Sequence, residues 1–313
     1  MIHLTSIDNL SKMQVLEIFE LAKELKDLQK REIEQDYLKG KTLGMIFEKS
    51  STRTRVSFEV GMYQLGGNAL FLSSSDIQLG RGETIEDTAR VLSRYLDGIM
   101  IRTSSHDKVL ALAKSASIPI INGLSNLHHP CQALADIFTL LETGRELLNL
   151  KLAYVGDGNN VANSLLQICA LLGVDISIAT PKSHSCNETI VEQAIALTRS
   201  SGSRLAITNS PEEAVENADV IYTDTWVSMG MENEKSERTI DFKGFTITKD
   251  LMSLARQNAV FMHCLPAYRG YEVSPEVIDG PQSVVLDQAE NRLHVQKAIL
   301  TLLLSKKNEY SWN

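Results

Sequence analysis

The stretch "TLGMIFEKSSTRTRVSFEV", residues 42–60, contains a change from strand-like to helix-like sequence that decides the fold. Residues 42–47 form a short apolar run, which is typical of a buried strand. Apolar residues then recur at positions that predict one wall of a helix: Val56, Phe58, Val60, Met62 and Tyr63. A strand that runs directly into a helix is the basic unit of a parallel α/β sheet.

Hydroxyl and guanidinium groups occupy the junction between that strand and that helix. The residues are Ser50, Ser51, Thr52, Arg53, Thr54 and Arg55. The first turn of a helix offers unpaired backbone N–H groups and the positive end of the helix dipole. Combined with guanidinium forks, these groups form a phosphate site. A capping serine beside surface arginines is the alternative, and the local pattern leaves both open.

Strand-like and helix-like runs alternate along nearly the whole chain. The predicted strands are 42–47, 69–72, 97–102, 118–122, 151–156, 174–179, 204–208, 219–225 and 259–264. The predicted helices include 83–96, 107–115, 130–142, 160–172, 188–200 and 211–217. This rhythm predicts an α/β fold with mainly parallel sheets flanked by helices, and 313 residues suit two domains. The polar stretch at 142–151 is the candidate junction between them.

Composition excludes several classes of protein. The formal charge of −8 argues against a general binder of nucleic acid or anionic membranes, but not against an anionic substrate in a locally basic pocket. No apolar run approaches the length of a membrane span, and the N-terminal residues lack the features of a signal peptide. The cysteines, at 131, 169, 186 and 264, form no Cys-x-x-Cys pair, which fits free thiols in a reducing cytoplasm.

Chemically versatile residues follow the predicted strands. Ligands of open parallel sheets bind beyond the carboxyl ends of the strands, so these positions are the candidates for a site. The segments are the hydroxyls and arginines after 42–47, Arg102 after 97–101, "NGLSNLHHPCQ" after 118–121, "DGNN" after 151–156, "TDTWVSMG" after 220–222 and "HCLP" after 260–262. Any one of them alone is unremarkable, and their shared placement is what favours a functional site.

Three of these segments suit an anionic substrate with a carbonyl group. Arg53 and Arg102 each follow a strand, where guanidinium contacts to phosphate are frequent, although most arginines are surface residues. His129 precedes Pro130 at a predicted helix start, with Gln132 in the same turn. A neutral imidazole there can donate to a carbonyl, and a structural histidine is the alternative. No second His/Cys cluster at zinc spacing accompanies this segment, so the sequence predicts no metal site.

The later segments suggest an amino-acid ligand rather than a dinucleotide. "VGDGNNV" resembles half of a dinucleotide fingerprint but has Val161 where the third glycine belongs. Asp224 is suited to pairing with a substrate ammonium, and the backbone of Ser228 and Met229 to binding a carboxylate. Cys264 reads equally well as a buried small apolar residue or as a functional thiol at a strand end.

Four motifs together resemble the carbamoyltransferases. They are "STRTR" at 51–55, "HPCQ" at 129–132, "DTWVSMG" at 224–230 and "HCLP" at 263–266, and "DQAENR" at 287–292 adds to the match. The first two are shared with the aspartate branch of the family and specify carbamoyl phosphate only. The SMG loop and HCLP are typical of the ornithine branch. The resemblance covers essentially the full chain, with the motifs in the family's order.

The resemblance implies a set of site residues. The implied carbamoyl-phosphate contacts are Ser51, Thr52, Arg53, Thr54, Gln78, Arg102, His129, Gln132, Cys264, Leu265 and Arg292. The implied ornithine contacts are Asn160, Asp224, Ser228 and Met229. The implied catalytic residues are Arg102, His129, Asp224 and Cys264. Many relatives carry a lysine where this chain has Gly82, and Arg81 is the candidate replacement for that charge.

The resemblance also implies the organisation of the enzyme. A carbamoyl-phosphate-binding domain would span 1–145, with a C-terminal helix at 291–313 packed back onto it, and an ornithine-binding domain would span 146–290. The active site would lie in the cleft between them. Gln78 matches a residue that family members place near the active site of a neighbouring subunit. A homotrimer or a multiple of trimers is therefore expected.

The implied reaction transfers the carbamoyl group of carbamoyl phosphate to the δ-amine of L-ornithine, giving L-citrulline and phosphate. The resemblance implies a cytoplasmic enzyme of arginine biosynthesis, but the sequence leaves open the reverse direction, ornithine-dependent carbamoyl-phosphate formation, because both directions use one site. No cofactor, nucleic acid or membrane partner is implied. The alternatives are a transferase for another amine such as putrescine, a dinucleotide-dependent oxidoreductase, and a non-catalytic relative, which would be expected to lose His129 or Arg102.

Overall fold

The computed structural model describes residues 3–73, 82–227 and 232–305 of the chain. Contacts divide the chain into two compact units. Unit 1 is formed by the described parts of Met1–Phe138 and Glu290–Asn313, and unit 2 by those of Thr139–Ala289. The predicted domain limits at 145 and 290 stay predictions. The observed division falls earlier, inside a continuous helix.

The first part of the chain supplies most of unit 1. Its elements are a 3₁₀ turn at Ile7–Asn9, α1 (Lys12–Lys30), β1 (Thr42–Phe47), α2 (Thr52–Gln64), β2 (Asn68–Ser73), α3 (Ile85–Leu92), β3 (Gly98–Arg102), α4 (His106–Ser115), β4 (Ile120–Leu124) and α5 (Pro130–Glu142). The sheet has the order β2-β1-β3-β4, and every pair in it is parallel. The central strands β1 and β3 are buried because helices cover the sheet, which explains their continuous apolar sequence.

Unit 2 repeats the architecture with a second sheet. Its elements are β5 (Lys151–Val155), α6 (Asn160–Leu172), β6 (Asp175–Ala179), a 3₁₀ turn at Lys182–His184, α7 (Glu188–Ser201), β7 (Leu205–Thr208), α8 (Pro211–Val215), β8 (Val220–Thr223), a 3₁₀ turn at Glu232–Glu234, α9 (Lys235–Asp241), α10 (Lys249–Ser253), β9 (Val260–His263) and α11 (Pro275–Ile278). The strand order is β7-β6-β5-β8-β9, again parallel throughout. An apolar cluster that includes Val155, Ile221, Phe242 and Phe261 forms its core.

The last helix, α12 (Val285–Leu304), belongs to unit 1 from Glu290 onward. Lys26 in α1 donates to Asn291 Oδ1 at 2.8 Å. Leu304, the last residue of α12, packs against Gly98 in β3. A Cβ added to Gly98 would lie 3.2 Å from Leu304 Cδ1, so glycine leaves room for this helix end. The C-terminal residues of the described chain thus complete the core that the N-terminal residues begin.

The predicted fold class is confirmed, because two parallel sheets flanked by helices are present and every predicted strand corresponds to an observed one. The apolar wall predicted for α2 is wrong in part: Val56 is 50% exposed and Tyr63 81% exposed. The buried side of α2 contains Thr54, Phe58, Gly61 and Met62. Those positions follow the helical repeat, whereas residues spaced by two lie about 200° apart on a helix.

No helix in the described ranges is both long enough and apolar enough to cross a membrane.

Candidate active site

The junction between β1 and α2 forms a capped helix start. Ser51 precedes α2, and its Oγ accepts a hydrogen bond from Thr54 N at 3.3 Å. The capping interpretation is therefore correct for Ser51. Arg53 lies in the first turn, half-buried, and its Nε is buried with no hydrogen-bond partner among the described residues. A cationic donor at a helix N-terminus is suited to a phosphate group, so capping and phosphate binding are compatible at this turn.

An arginine from the far end of the chain reaches this turn. Arg292 in α12 donates from Nη2 to Thr54 Oγ1 at 2.9 Å, and both side chains are buried. The two residues are 238 positions apart in sequence. The contact places a second guanidinium beside the start of α2.

Arg102 brings a third guanidinium to the same end of the unit 1 sheet. It is the last residue of β3 and pairs with Phe47, the last residue of β1, after which the turn with Ser51 and Arg53 follows. The register between β3 and β4 shifts between Ile101 and Arg102, and such irregularities change the direction of a side chain. Arg102 is only 7% exposed, so its charge lies inside the protein rather than on the surface.

His129 occupies the start of α5, beside these cations. Its carbonyl oxygen accepts from Gln132 N at 3.1 Å and Ala133 N at 3.2 Å, which makes it the capping position of the helix. Burial, and then the positive charges of Arg292 and Arg102, lower the pKa of His129 well below its ordinary value. The imidazole is therefore neutral near pH 7. It is able to donate a hydrogen bond from a ring N–H without adding a further charge.

Unit 2 gathers a different set of groups at the ends of its strands. Asp224 follows β8, and its carboxylate accepts from Asn159 Nδ2 at 2.8 Å and from Thr225 N at 2.7 Å. Cys264, which follows β9, donates from Sγ to Asp224 Oδ1 at 2.9 Å. Asp224 is 6% exposed. The site therefore presents a buried carboxylate held in place by an amide, a backbone N–H and a thiol.

Asn159 is a residue that the sequence analysis missed. It caps α6 by accepting from Val161 N at 2.9 Å and Ala162 N at 3.2 Å, while its amide nitrogen holds Asp224. The predicted residue, Asn160, is the first residue of α6 and half-buried. A signal for Asn159 was present, because asparagine directly before a helical run is a favoured N-cap.

Three potential metal ligands lie close together in unit 2. Atoms of Asp224, His263 and Cys264 are all within 4.8 Å of one another. His263 Nδ1 accepts from Leu265 N at 2.9 Å, and Nε2 lies 3.3 Å from Glu272 Oε1. With Nδ1 accepting, Nε2 carries the proton, so neither ring nitrogen offers a lone pair to a metal. Two donors remain, fewer than the three or four protein ligands of a typical zinc site.

The glycines of "VGDGNNV" are used for packing within the protein. A Cβ on Gly158 would lie 2.3 Å from the backbone nitrogen of Cys186, and Gly158 N donates to His184 O at 2.9 Å. The close approach that a dinucleotide fingerprint reserves for a pyrophosphate is here made by residues 184–186. This packing speaks against the oxidoreductase alternative.

Comparisons with known proteins identify the family of the chain. The family model described as "Aspartate/ornithine carbamoyltransferase, carbamoyl-P binding domain" matches residues 2–142, and the one described as "Aspartate/ornithine carbamoyltransferase, Asp/Orn binding domain" matches residues 148–303. This chain belongs to the aspartate/ornithine carbamoyltransferase family. The membership predicted from the four motifs is confirmed.

Several relatives that match nearly the full chain carry the name of ornithine carbamoyltransferase. The chain is 56% identical to "Ornithine carbamoyltransferase" of Caldicellulosiruptor saccharolyticus over 96% of this chain and 98% of the relative. It is 57% identical to the protein of the same name from Methanobrevibacter smithii, over 92% and 95%. The solved structure "Ornithine carbamoyltransferase from Pyrococcus furiosus" is similar with a TM-score of 0.94 and 51% identity, over 96% of each chain.

The structure brings together part of the predicted site. Thr54, Arg102, His129 and Arg292 meet in unit 1, and Asp224 and Cys264 meet in unit 2. Leu265 adjoins Cys264 with a positive φ of 59°. Gln78, Arg81, Ser228 and Met229 lie outside the described residues, and Gly82 has a φ of 110°.

Proposed function

We propose that this chain transfers the carbamoyl group of carbamoyl phosphate to the δ-amine of L-ornithine, releasing L-citrulline and phosphate. The observation that carries the proposal is the contrast in charge between two built sites. Unit 1 presents arginines around a neutral His129, and unit 2 presents the buried carboxylate of Asp224. The first suits a phosphate dianion with a carbonyl group, and the second suits an amino acid with an ammonium group.

In unit 1, the ligand's phosphate binds at the first turn of α2. Ser51, Thr52 and Arg53 and the backbone N–H groups of that turn contact its oxygens. Arg102, His129 and Thr54 donate to the carbonyl oxygen of the carbamoyl group and stabilise the negative charge that develops on it. The hydrogen bond from Arg292 holds Thr54 in position. Gln132 and the partner subunit's Gln78 are further proposed carbamoyl-phosphate contacts.

In unit 2, Asp224 pairs with an ammonium group of ornithine, and the backbone of Ser228 and Met229 binds its α-carboxylate. Asn160 is a further contact, and Asn159 keeps the Asp224 carboxylate in position. Cys264 donates to the same carboxylate, so it is placed to influence the protonation of the amine. An ornithine δ-ammonium has a pKa close to that of lysine, so the site must favour the neutral amine before attack.

The transfer needs no covalent enzyme intermediate. The lone pair of the neutral δ-amine attacks the carbamoyl carbon, and a C–N bond forms. The tetrahedral intermediate then expels phosphate as its C–O bond to phosphorus-bound oxygen breaks. The proton lost by the amine goes to the departing phosphate, which is basic enough to take it. Arg53 and the N-terminus of α2 stabilise the charge on the leaving group.

A steady-state assay with two amines tests the substrate. With carbamoyl phosphate present, ornithine should give citrulline with a kcat/KM at least about 100-fold above that for putrescine. Putrescine carries no α-carboxylate, so it forgoes the contacts proposed for Ser228 and Met229. Preference for putrescine would identify the other transferase. Turnover of neither amine would remove the proposed activity altogether.

We also propose a homotrimer, alone or as a unit of larger assemblies, and the cytoplasm as its compartment. Apolar side chains on α2 and on the edge strand β2 are exposed in the single chain, namely Val56, Tyr63, Leu70 and Phe71. Exposed apolar residues beside a sheet edge support burial against another subunit. The four cysteines are free thiols, which supports a reducing compartment.

Subunit complementation tests the composite site. Gln78→Ala and His129→Ala should each be inactive as pure assemblies. Mixed assemblies should recover part of the activity, because some sites receive an intact Gln78 from one chain and an intact His129 from another. No recovery after verified subunit exchange would show that one chain builds the whole site.

A further inference from the structure

Two buried polar side chains face each other one turn apart in α5. Gln132 is 1% exposed and Asp136 is fully buried. Gln132 Nε2 donates to Asp136 Oδ1 at 2.8 Å. The ionised form of Asp136 only accepts hydrogen bonds, so it pairs with the amide nitrogen of Gln132 and not with the amide oxygen. The hydrogen bond to Asp136 therefore fixes the orientation of the Gln132 amide group.

The consequence is that Gln132 Oε1 points away from Asp136. This oxygen is buried and has no hydrogen-bond partner among the described residues. Buried acceptors in native proteins normally have a donor, and an exception calls for a specific explanation. Gln132 lies in the same turn as His129, since its backbone nitrogen donates to His129 O at 3.1 Å. A donor that reaches Oε1 would therefore arrive with a ligand bound at the His129 site.

A carbamoyl group has the complementary pattern of hydrogen-bonding groups. Its carbonyl oxygen accepts, and its amino group donates. The cationic side chains near His129 and the imidazole itself are donors, so they suit only the carbonyl oxygen. The amino group needs an acceptor nearby, and Gln132 Oε1 is a buried acceptor in the first turn of the same helix.

We propose that Asp136 is a positioning residue that fixes Gln132 Oε1 as the acceptor for the amino group of the carbamoyl donor, and so selects carbamoyl phosphate over acyl phosphates. The inference rests on the proposed function and deepens it. Acetyl phosphate has the same phosphate and carbonyl groups but a methyl group in place of the amino group. The phosphate contacts do not distinguish the two compounds, whereas the Gln132 oxygen does.

The first test is Asp136→Asn, a nearly isosteric change. The new amide can accept from Gln132 Nε2 or donate to Gln132 Oε1, so it no longer fixes the Gln132 amide, which is then able to turn over and present Nε2 to the ligand. A donor then faces the donor of the carbamoyl group. The ratio of the affinities for carbamoyl phosphate and acetyl phosphate, measured by calorimetry, should fall about 10- to 100-fold. Any general effect of the lost charge on phosphate binding cancels in this ratio.

The matched control exchanges the two groups. In Gln132→Glu with Asp136→Asn, the glutamate accepts from the asparagine amide through one oxygen and offers the other to the carbamoyl amino group. The total charge and the number of acceptors are those of the original pair. The affinity ratio should return to within a few-fold of the wild-type value. This variant also keeps the test open if Asp136→Asn alone fails to fold, since the hydrogen-bonded pair is restored.

The outcomes separate the inference from the proposed function. An unchanged ratio in folded Asp136→Asn, or a ratio in the exchanged pair that is as low as in the single variant, would overturn the positioning role. In either case a wild-type enzyme that still makes citrulline leaves the proposed function intact. A wild-type protein that neither binds carbamoyl phosphate nor makes citrulline would instead remove the proposed function.

Discussion

The two units use one topology to build sites of opposite charge. Both sites lie at the carboxyl ends of parallel strands, where the fold gathers side chains from several segments. In unit 1 the gathered groups are Arg102 and Arg292 around His129, and in unit 2 they are Asn159 and Cys264 around Asp224. The topology therefore decides where a ligand binds, and the residues after each strand decide which ligand it is.

The two sites also differ in how they are held. In unit 1 a guanidinium fixes a hydroxyl, because Arg292 donates to Thr54, and burial keeps His129 neutral. In unit 2 neutral donors fix a carboxylate. The proposed anion site thus retains positive charge for its ligand, and the proposed ammonium site retains negative charge. Substitutions in the two units should consequently affect different substrates.

The largest expected effect is the loss of carbamoyl-phosphate binding in Arg53→Leu. Each charge-assisted contact to phosphate is worth about 1.5–3 kcal/mol, so losing a two-pronged contact should weaken binding at least about 100-fold. Calorimetry with carbamoyl phosphate measures the change. Ornithine turnover should become undetectable at ordinary carbamoyl-phosphate concentrations.

The matched control for that variant is Arg55→Leu. Arg55 lies two residues further along α2, pairs with Glu59 at 3.1 Å, and its guanidinium carbon is 3.9 Å from the Phe71 ring centroid. Its side chain is thus engaged on the surface of the helix, and its removal should leave carbamoyl-phosphate affinity within a few-fold of wild type. Equal losses in both variants would mean that the turn senses charge in general and that Arg53 is not a specific ligand.

The sequence predicted the first site in greater detail than the second for a physical reason. Strand ends and helix starts are local features, so Ser51, Arg53, Arg102 and His129 could be placed from nearby residues alone. The contact between Thr54 and Arg292 joins distant parts of the chain, and only the family resemblance placed Arg292 in the site. Long-range pairs leave no periodic signal in a single sequence.

Side-chain partners were the main feature that the sequence left open. It selected Asn160, but a cap and a carboxylate contact are both made by its neighbour Asn159. Asp136 was not considered, although glutamine and aspartate four residues apart on a helix are able to pair. Spacing shows which residues share a helix face. Whether that face is buried depends on packing, which also explains the exposure of Val56.

The second expected effect belongs to unit 2. Asp224→Asn removes the negative charge proposed to pair with ornithine, and the KM for ornithine should rise about 10- to 100-fold. Carbamoyl-phosphate affinity should change far less, because the arginines proposed to bind its phosphate group lie in unit 1. Steady-state kinetics with each substrate varied in turn give both values. Parallel losses for both ligands would indicate a folding defect or a wrong assignment of Asp224.

A smaller effect is expected at Cys264, whose thiol donates to Asp224. Cys264→Ser keeps the size and a donor, so the fold should survive, with kcat/KM for ornithine within about tenfold of wild type. The pH dependence of kcat/KM should shift, because the group next to the Asp224 carboxylate has changed. Cys264→Ala, which keeps no donor, should shift it further. If the profiles of both variants overlay that of the wild type, Cys264 only packs beneath the site.

The smallest expected effect is on stability. It arises because a buried cation has a charged partner in unit 2 and neutral partners in unit 1. In unit 2, Arg238 Nη1 lies 2.9 Å from Asp157 Oδ2, so a buried charge has a charged partner. In unit 1, the fully buried Lys297 donates instead to two neutral amides, Gln29 Oε1 at 3.0 Å and Gln64 Oε1 at 3.1 Å. Burial lowers the pKa of Lys297 to about 8, from 10.5. A buried ammonium with neutral partners gives up its proton more readily than an exposed one.

The sign of the pH dependence follows from that lowered pKa. Between about pH 8 and pH 10.5 the unfolded chain holds a proton on Lys297 that the folded chain has released. Because the unfolded state binds more protons, the contribution of Lys297 to the free energy of unfolding rises with pH across this window, by on the order of 1–3 kcal/mol. Lys297→Met keeps the length of the side chain and removes the titration. Urea unfolding at pH 7.5 and pH 9.5 should show the wild type gaining stability relative to the variant. Cysteines and tyrosines titrate in both proteins, so their contributions cancel in the difference. Two parallel pH profiles would mean that Lys297 keeps its proton. The two amides would then stabilise the charge of Lys297 as effectively as Asp157 stabilises that of Arg238.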